Sequence, residues 1–132
     1  MDIKCKANMG AALSPECLVL GYTEESEFYL IIGKNYQVFA MALWHSVIVF
    51  LIVDESGRPA WQPSELFSLV DARLPEEWFF TEYSNEESGV QAVWGYEALI
   101  FDPDHYDLLT EYDPGALRVF EEERRKRQPS RS

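Results

Sequence analysis

Apolar and polar positions are patterned most clearly in the middle of the chain. Residues 36–43 and Val47–Val53 are runs of β-branched, aromatic and aliphatic residues, separated by Trp44, His45 and Ser46. Two such runs so closely joined predict a β-hairpin. The second run is apolar at every position, so it is expected to be central in a sheet or covered on both faces. Asp54, Glu55, Ser56 and Gly57 follow as a polar turn, with Gly57 suited to positive φ. Pro59 and Pro63 bracket an extended piece carrying Trp61, and residues 64–67 suit one tight helical turn capped by Ser64. Residues 68–71 form another short strand, and Pro75 breaks the chain before Trp78, Phe79 and Phe80. Upstream, the first 15 residues read as a loosely ordered lead-in and residues 17–22 as a short strand. TEESE at 23–27 is a polar turn, and residues 28–32 are a second apolar run closed by Gly33.

Beyond the acidic loop YSNEESG at 83–89, residues 90–94 return to strand character, and then the period lengthens. Asp102-Pro103 and Asp113-Pro114 each combine an N-cap residue with proline at the first helical position. The first helix is expected to pack Tyr106, Leu109 and Tyr112, and the second Leu117 and Phe120. Glu121, Glu122 and Glu123 precede Arg124, Arg125, Lys126 and Arg127, which gives i,i+3 and i,i+4 pairs and a basic end suited to the helix dipole. Short strands followed by helices predict an α+β protein. Its expected form is a small, strongly curved antiparallel sheet or SH3-like barrel followed by C-terminal helices. Residues 1–127 are expected to form a single globular domain and 128–132 a disordered tail.

Composition adds the electrostatics. The 132 residues carry a formal charge of −12, but five of the eleven basic residues lie in the last nine positions. Residues 1–123 hold 6 basic and 23 acidic residues, a net −17. Such a body repels nucleic acid and anionic membranes and attracts basic partners. The longest apolar run, Val47–Val53, is far too short to span a bilayer. Lys4 and Lys6 precede a mildly apolar stretch at 9–20. Pro15 and Glu16 interrupt it, which argues against a secretory leader. Cys5 and Cys17 fit a reducing cytoplasm, where both are expected to be free thiols.

No catalytic constellation stands out. Asp102, Asp104, His105 and Asp107 are the right ligand types for a divalent ion. Capping already explains aspartate there, and the glycine of a calcium loop is missing. No glycine-rich elbow precedes Cys5 or Cys17 that would mark either as a nucleophile for His45. Glu76-Glu77 and Glu86-Glu87 are adjacent loop carboxylates of the solvated kind, and no phosphate-cradling loop occurs. No cofactor is therefore expected, and no enzymatic activity. Trp61, between two prolines, is the tryptophan expected to anchor a partner. The acidic loops Asp54-Glu55, Glu76-Glu77 and residues 82–87 are expected to rim one end of the barrel as a contiguous negative patch.

The string IGKNYQVFAMA, followed by VFLIVDESGRPAWQPSELFSLVDARLPEEWFF and then VWGYEAL, resembles small bacterial immunity proteins of polymorphic toxin systems over about residues 28–125. The resemblance implies a cytoplasmic inhibitor that binds a toxin domain tightly. It brings no catalytic motif and no fixed interface motif. An acidic protein suits a basic nuclease domain as counterpart. The partner-binding residues expected from the acidic loops and their aromatics are Asp54, Glu55, Trp61, Glu76, Glu77, Glu82, Tyr83, Glu86 and Glu87. A small ligand-binding or enzymatic barrel with an aromatic-lined pocket is the alternative, and the two-faced apolar strand leaves room for a homodimer.

Overall fold

The computed structural model describes residues 1–83 and 89–127. Its first strand lies where a loose lead-in was expected. β1 (Asp2–Cys5) buries Ile3 and Cys5 on one face and turns Lys4 outward. It is the central strand of a three-stranded antiparallel sheet, between β2 (Asn35–Gln37) and β6 (Phe67–Asp71). Four residues of alternating polarity, flanked by charge, carry a strand signal too short to stand out in sequence. The expected strand at 17–22 is also corrected. Ser14 caps a short helix α1 (Pro15–Leu18) by accepting from the Cys17 N–H at 3.4 Å, with Pro15 at the first helical position. The apolar run 28–32 is irregular chain, in which the Phe28 N–H donates to the Asn8 carbonyl and the Tyr29 carbonyl accepts from the Glu55 N–H.

The larger sheet contains β3 (Ala40–Trp44), β4 (Val47–Val53), β5 (Pro59–Pro63), β7 (Phe79–Glu82) and β8 (Val90–Gly95). All its neighbours are antiparallel, in the order β5-β4-β3-β8-β7. The β3–β4 hairpin is as the sequence suggests, but its loop has two residues. His45 and Ser46 have φ of 46° and 67°, the left-handed pair that a tight hairpin demands. Tyr36 and Gln37 belong instead to the smaller sheet. Gly57, at φ 81°, closes the next turn. Ser64 opens a 3-10 turn (Ser64–Leu66) but does not cap it with its side chain.

The fold class is α+β with C-terminal helices, its strands shared between two sheets rather than gathered into one curved sheet or barrel. The first core lies between the sheets and joins Ile3, Cys5, Tyr36, Phe50, Ile52 and Phe67. The second lies between the opposite face of the large sheet and the helices, and joins Ala40, Val49, Leu51, Val93, Leu99 and Phe120. β4 therefore supplies both cores from alternate positions, as its continuous apolar run requires.

Three helices cover that second face. α2 (Glu97–Phe101) ends at Asp102, whose Oδ1 accepts from the Asp104 N–H at 3.0 Å ahead of the next helix. α3 (His105–Thr110) begins two residues later than expected, after Asp104. α4 (Pro114–Arg127) starts as read, with Asp113 Oδ2 accepting from the Ala116 N–H at 3.1 Å. Phe120 is fully buried, edge-on to Phe39 at 5.2 Å and to Tyr96 at 6.3 Å. Burial of such a ring contributes roughly 2–3 kcal/mol. Glu121–Arg124, Glu123–Lys126 and Glu123–Arg127 are the expected helical ion pairs. Among the described residues no helix is long and apolar enough to cross a membrane.

Candidate partner-binding surface

The strand register divides the expected acidic patch. Leu51, Ala40, Gly95 and Phe79 align across β4, β3, β8 and β7. Asp54, Glu55, Glu76 and Glu77 therefore follow or precede the strands at one end of the large sheet. Glu82 and Tyr83 lie at the other end, about 10 Å along β7. Glu86 and Glu87, with the expected tail at 128–132, lie outside the described residues.

At the first end most of the acid is engaged within the fold. Asp54 is only 8% exposed. Its Oδ1 accepts from the Ser56 N–H at 2.9 Å and from the Ser56 hydroxyl, so it holds the β4–β5 turn. Glu55 accepts from Lys34 Nζ at 2.5 Å and from the Tyr36 hydroxyl at 2.8 Å. These bonds hold its carboxyl below the usual range, whereas burial, with help from that carboxylate, pushes Tyr36 up to about 12. Glu77 pairs with Arg127 at 2.8 Å, which likewise lowers it. The basic end of α4 thus folds back over this rim. Glu76 is exposed and in no ion pair among the described residues.

Trp61 is not an exposed anchor. It packs on Tyr106 of α3, ring centroids 5.5 Å apart, as part of the second core. Its Nε1 is buried with no hydrogen-bond partner among the described residues. His105 of the acidic cluster turns inward as well: it is buried, with Nε2 2.7 Å from the Tyr96 hydroxyl. Among the described residues no three His, Cys, Asp or Glu side chains converge as a metal site requires. Two open clefts flank α4. One, of about 450 Å³, lies against Glu77, Phe79, Glu97, Glu123 and Arg127. The other, of about 400 Å³, lies against Lys34, Tyr36, Asp54, Glu55 and Arg124.

The exposed apolar surface is on the other face of the large sheet. Phe80, Trp94, Met41 and Phe50 are successive cross-strand partners on β7, β8, β3 and β4, and they share the face turned away from the helices. The small sheet covers this face at Phe50 but leaves the row open toward β7. Exposure falls from 49% at Phe80, through half-buried Trp94 and Met41, to 5% at Phe50. The Phe80 and Trp94 rings lie 5.0 Å apart. Two residues along, Glu82, Ala92, Leu43 and Ile48 form the next row on this face, with Glu82 and Ile48 exposed. Where β6 passes over this face, Met41, Ile48, Phe50, Phe67 and Leu69 line a groove of about 270 Å³.

Sequence reasoning missed Phe80, Trp94, Met41 and Ile48 as surface residues. The signal was Phe79-Phe80 itself. Adjacent residues of a strand point to opposite faces, so two consecutive aromatics on an edge strand cannot share one core. Phe79 goes to the helix side, where it meets Phe101 edge-on at 5.0 Å. Tyr83, expected as an anchor, is 38% exposed just past β7, on the helix side of the sheet near Tyr106 and Asp107 of α3 and not on the face of this row. Compared with protein-family models, curated proteins and solved structures, the chain matches none.

Proposed function

We propose that this protein is an inhibitor that acts by binding another protein, an immunity protein that neutralises a cognate bacterial toxin domain in the cytoplasm. The observation that carries the reading is the open apolar row Phe80–Trp94–Met41, with its two aromatics outermost, at the edge of an acidic protein. Large aromatic side chains offer contact area at low entropic cost and are typical anchors of protein interfaces. The net −17 of residues 1–123 favours encounter with a basic partner, for which a nuclease domain is the suitable candidate. The resemblance of residues 28–125 to immunity proteins supports the same class. Phe80 and Trp94 are the anchors in this reading, and Glu76 and Glu82, exposed and in no ion pair among the described residues, the steering charges.

The test is co-expression. Cells producing the toxin domain encoded beside this gene survive when this protein is present, and the two purified proteins form a stable complex. Cell death despite normal amounts of folded protein, with no complex in solution, contradicts the proposal.

A further inference from the structure

The large sheet ends in β5 on one side and β7 on the other, and their outer edges differ in what main-chain groups they offer. In β5 the ladder to β4 decides which groups turn outward. The Asp54 N–H donates to the Arg58 carbonyl at 3.3 Å, and bonded and non-bonded pairs alternate along an antiparallel ladder. Val53–Pro59, Leu51–Trp61 and Val49–Pro63 are therefore non-bonded pairs, so the main chain of Pro59, Trp61 and Pro63 faces the open edge. Two of these three residues have no N–H to give, which blunts the edge against strand pairing.

β7 has no such protection. The Tyr83 N–H donates to the Gln91 carbonyl at 2.9 Å. Counting back, Thr81–Val93 and Phe79–Gly95 are bonded pairs, so Phe80 and Glu82 turn their N–H and C=O groups outward. Among the described residues, these groups make one bond beyond their own ladder, a 3.4 Å donation from the Thr81 hydroxyl to the Glu82 carbonyl. The smaller sheet's edges are less inviting. β2 has three residues, and Gln37 reaches across to the Arg127 carbonyl at 3.1 Å. β6 shifts register against β1 between Asp2 and Ile3, an irregularity of the kind that disrupts an edge.

We propose that β7 is a strand-addition site that takes an extended, basic segment of a partner protein through the main chain of Phe80 and Glu82. The proposal rests on the reading of the chain as a protein-binding inhibitor and adds the mode of contact. Charge selects the occupant. Glu76 and Glu82 are exposed and in no ion pair among the described residues, so a basic segment meets complementary charge. A second copy of this chain would bring its own glutamates to the same edge. The side chains of Phe80 and Glu82 share one face two residues apart. The added segment therefore carries an apolar residue beside Phe80 and Trp94 and, two positions away, a lysine or arginine beside Glu82.

The probe is a capped peptide, acetyl-Thr-Lys-Thr-Val-Thr-Lys-Thr-Lys-amide, added to the isotope-labelled full chain, with a second peptide bearing glutamate for every lysine. The basic peptide shifts the amide signals of Phe80 and Glu82 and slows their hydrogen exchange. Glu82→Pro removes one outward N–H while sparing the ladder to β8, and weakens the peptide about tenfold or more. Glu82→Gln keeps the N–H and weakens binding only at low salt. Equal binding of the acidic peptide, unmoved β7 amides, or full binding by folded Glu82→Pro each overturns the proposal. So does a homodimer that Glu82→Pro dissolves. If the chain neutralises its toxin and Glu82→Pro binds that toxin as tightly, strand addition is wrong and the inhibitor reading stands. If the peptide docks on β7 but the toxin is not bound, the reverse holds.

Discussion

Tyr96 and His105 form a buried polar pair in the second core, the phenol oxygen 2.7 Å from Nε2, tying the end of β8 to the start of α3. Burial holds His105 below its usual value despite the nearby Asp102 carboxylate, and burial together with Glu123 drives the Tyr96 hydroxyl upward. The folded protein therefore keeps a neutral imidazole. The unfolded chain takes up that proton at about pH 6.5. The stability linked to His105 is fully present above that value and is lost as pH falls toward the depressed folded pKa. Urea unfolding should accordingly show a midpoint that declines from pH 7 to pH 5.5, ahead of most carboxylate titration. His105→Gln should flatten that slope, and Tyr96→Phe should cost about 1 kcal/mol at pH 7. Identical slopes in wild type and His105→Gln would refute the assignment.

The hairpin turn is strained at both residues, and the second is open to relief. Ser46, at φ 67°, stands where a two-residue turn prefers glycine, and its N–H donates to Gln91 Oε1 at 2.6 Å. Ser46→Gly keeps that bond and should stabilise the fold by up to about 1 kcal/mol. Gly89 is the converse case. A Cβ there would lie 2.1 Å from His45 Nε2, at φ +74°. Gly89→Ala should lower the melting temperature where Ser46→Gly raises it. Thermal unfolding of the two variants checks both signs.

Cys5 and Cys17 are free and buried in the first core. Burial raises both thiols, and with the Glu65 carboxylate beside it Cys17 is pushed up to about 11. Little thiolate exists at neutral pH, so both should react with a disulfide reagent only when the core opens. Two thiols per chain should become reactive in denaturant, with slow native-state labelling that tracks stability. Fast native labelling of either would contradict the burial described.

What the sequence made legible was whatever a short window decides. Asp113-Pro114 starts a helix, Gly57 closes a turn, and an all-apolar Val47–Val53 sits between two layers, because cap, turn and period act locally. β1 was hidden because Ile3 and Cys5 are only two buried positions among charged neighbours. The strand is made by pairing with β2 and β6, more than thirty and sixty residues away. The surface was less legible still. The fate of Trp61 depends on Tyr106, and that of Glu55 and Glu77 on Lys34 and Arg127, all brought close by the tertiary fold. Counting charges gave the sign of the body but not which carboxylates remain unpaired.

The central claim is that the open face at Phe80 and Trp94 anchors a protein partner while the exposed Glu76 and Glu82 steer it. Its most direct test is the rate constants for binding the proposed cognate toxin domain, measured at low and high salt for wild type, Phe80→Ala and Glu82→Gln. Phe80→Ala should speed dissociation about tenfold or more with association nearly unchanged. Glu82→Gln should slow association at low salt, with the difference fading as salt rises. Dissociation of folded Phe80→Ala at the wild-type rate would contradict the account.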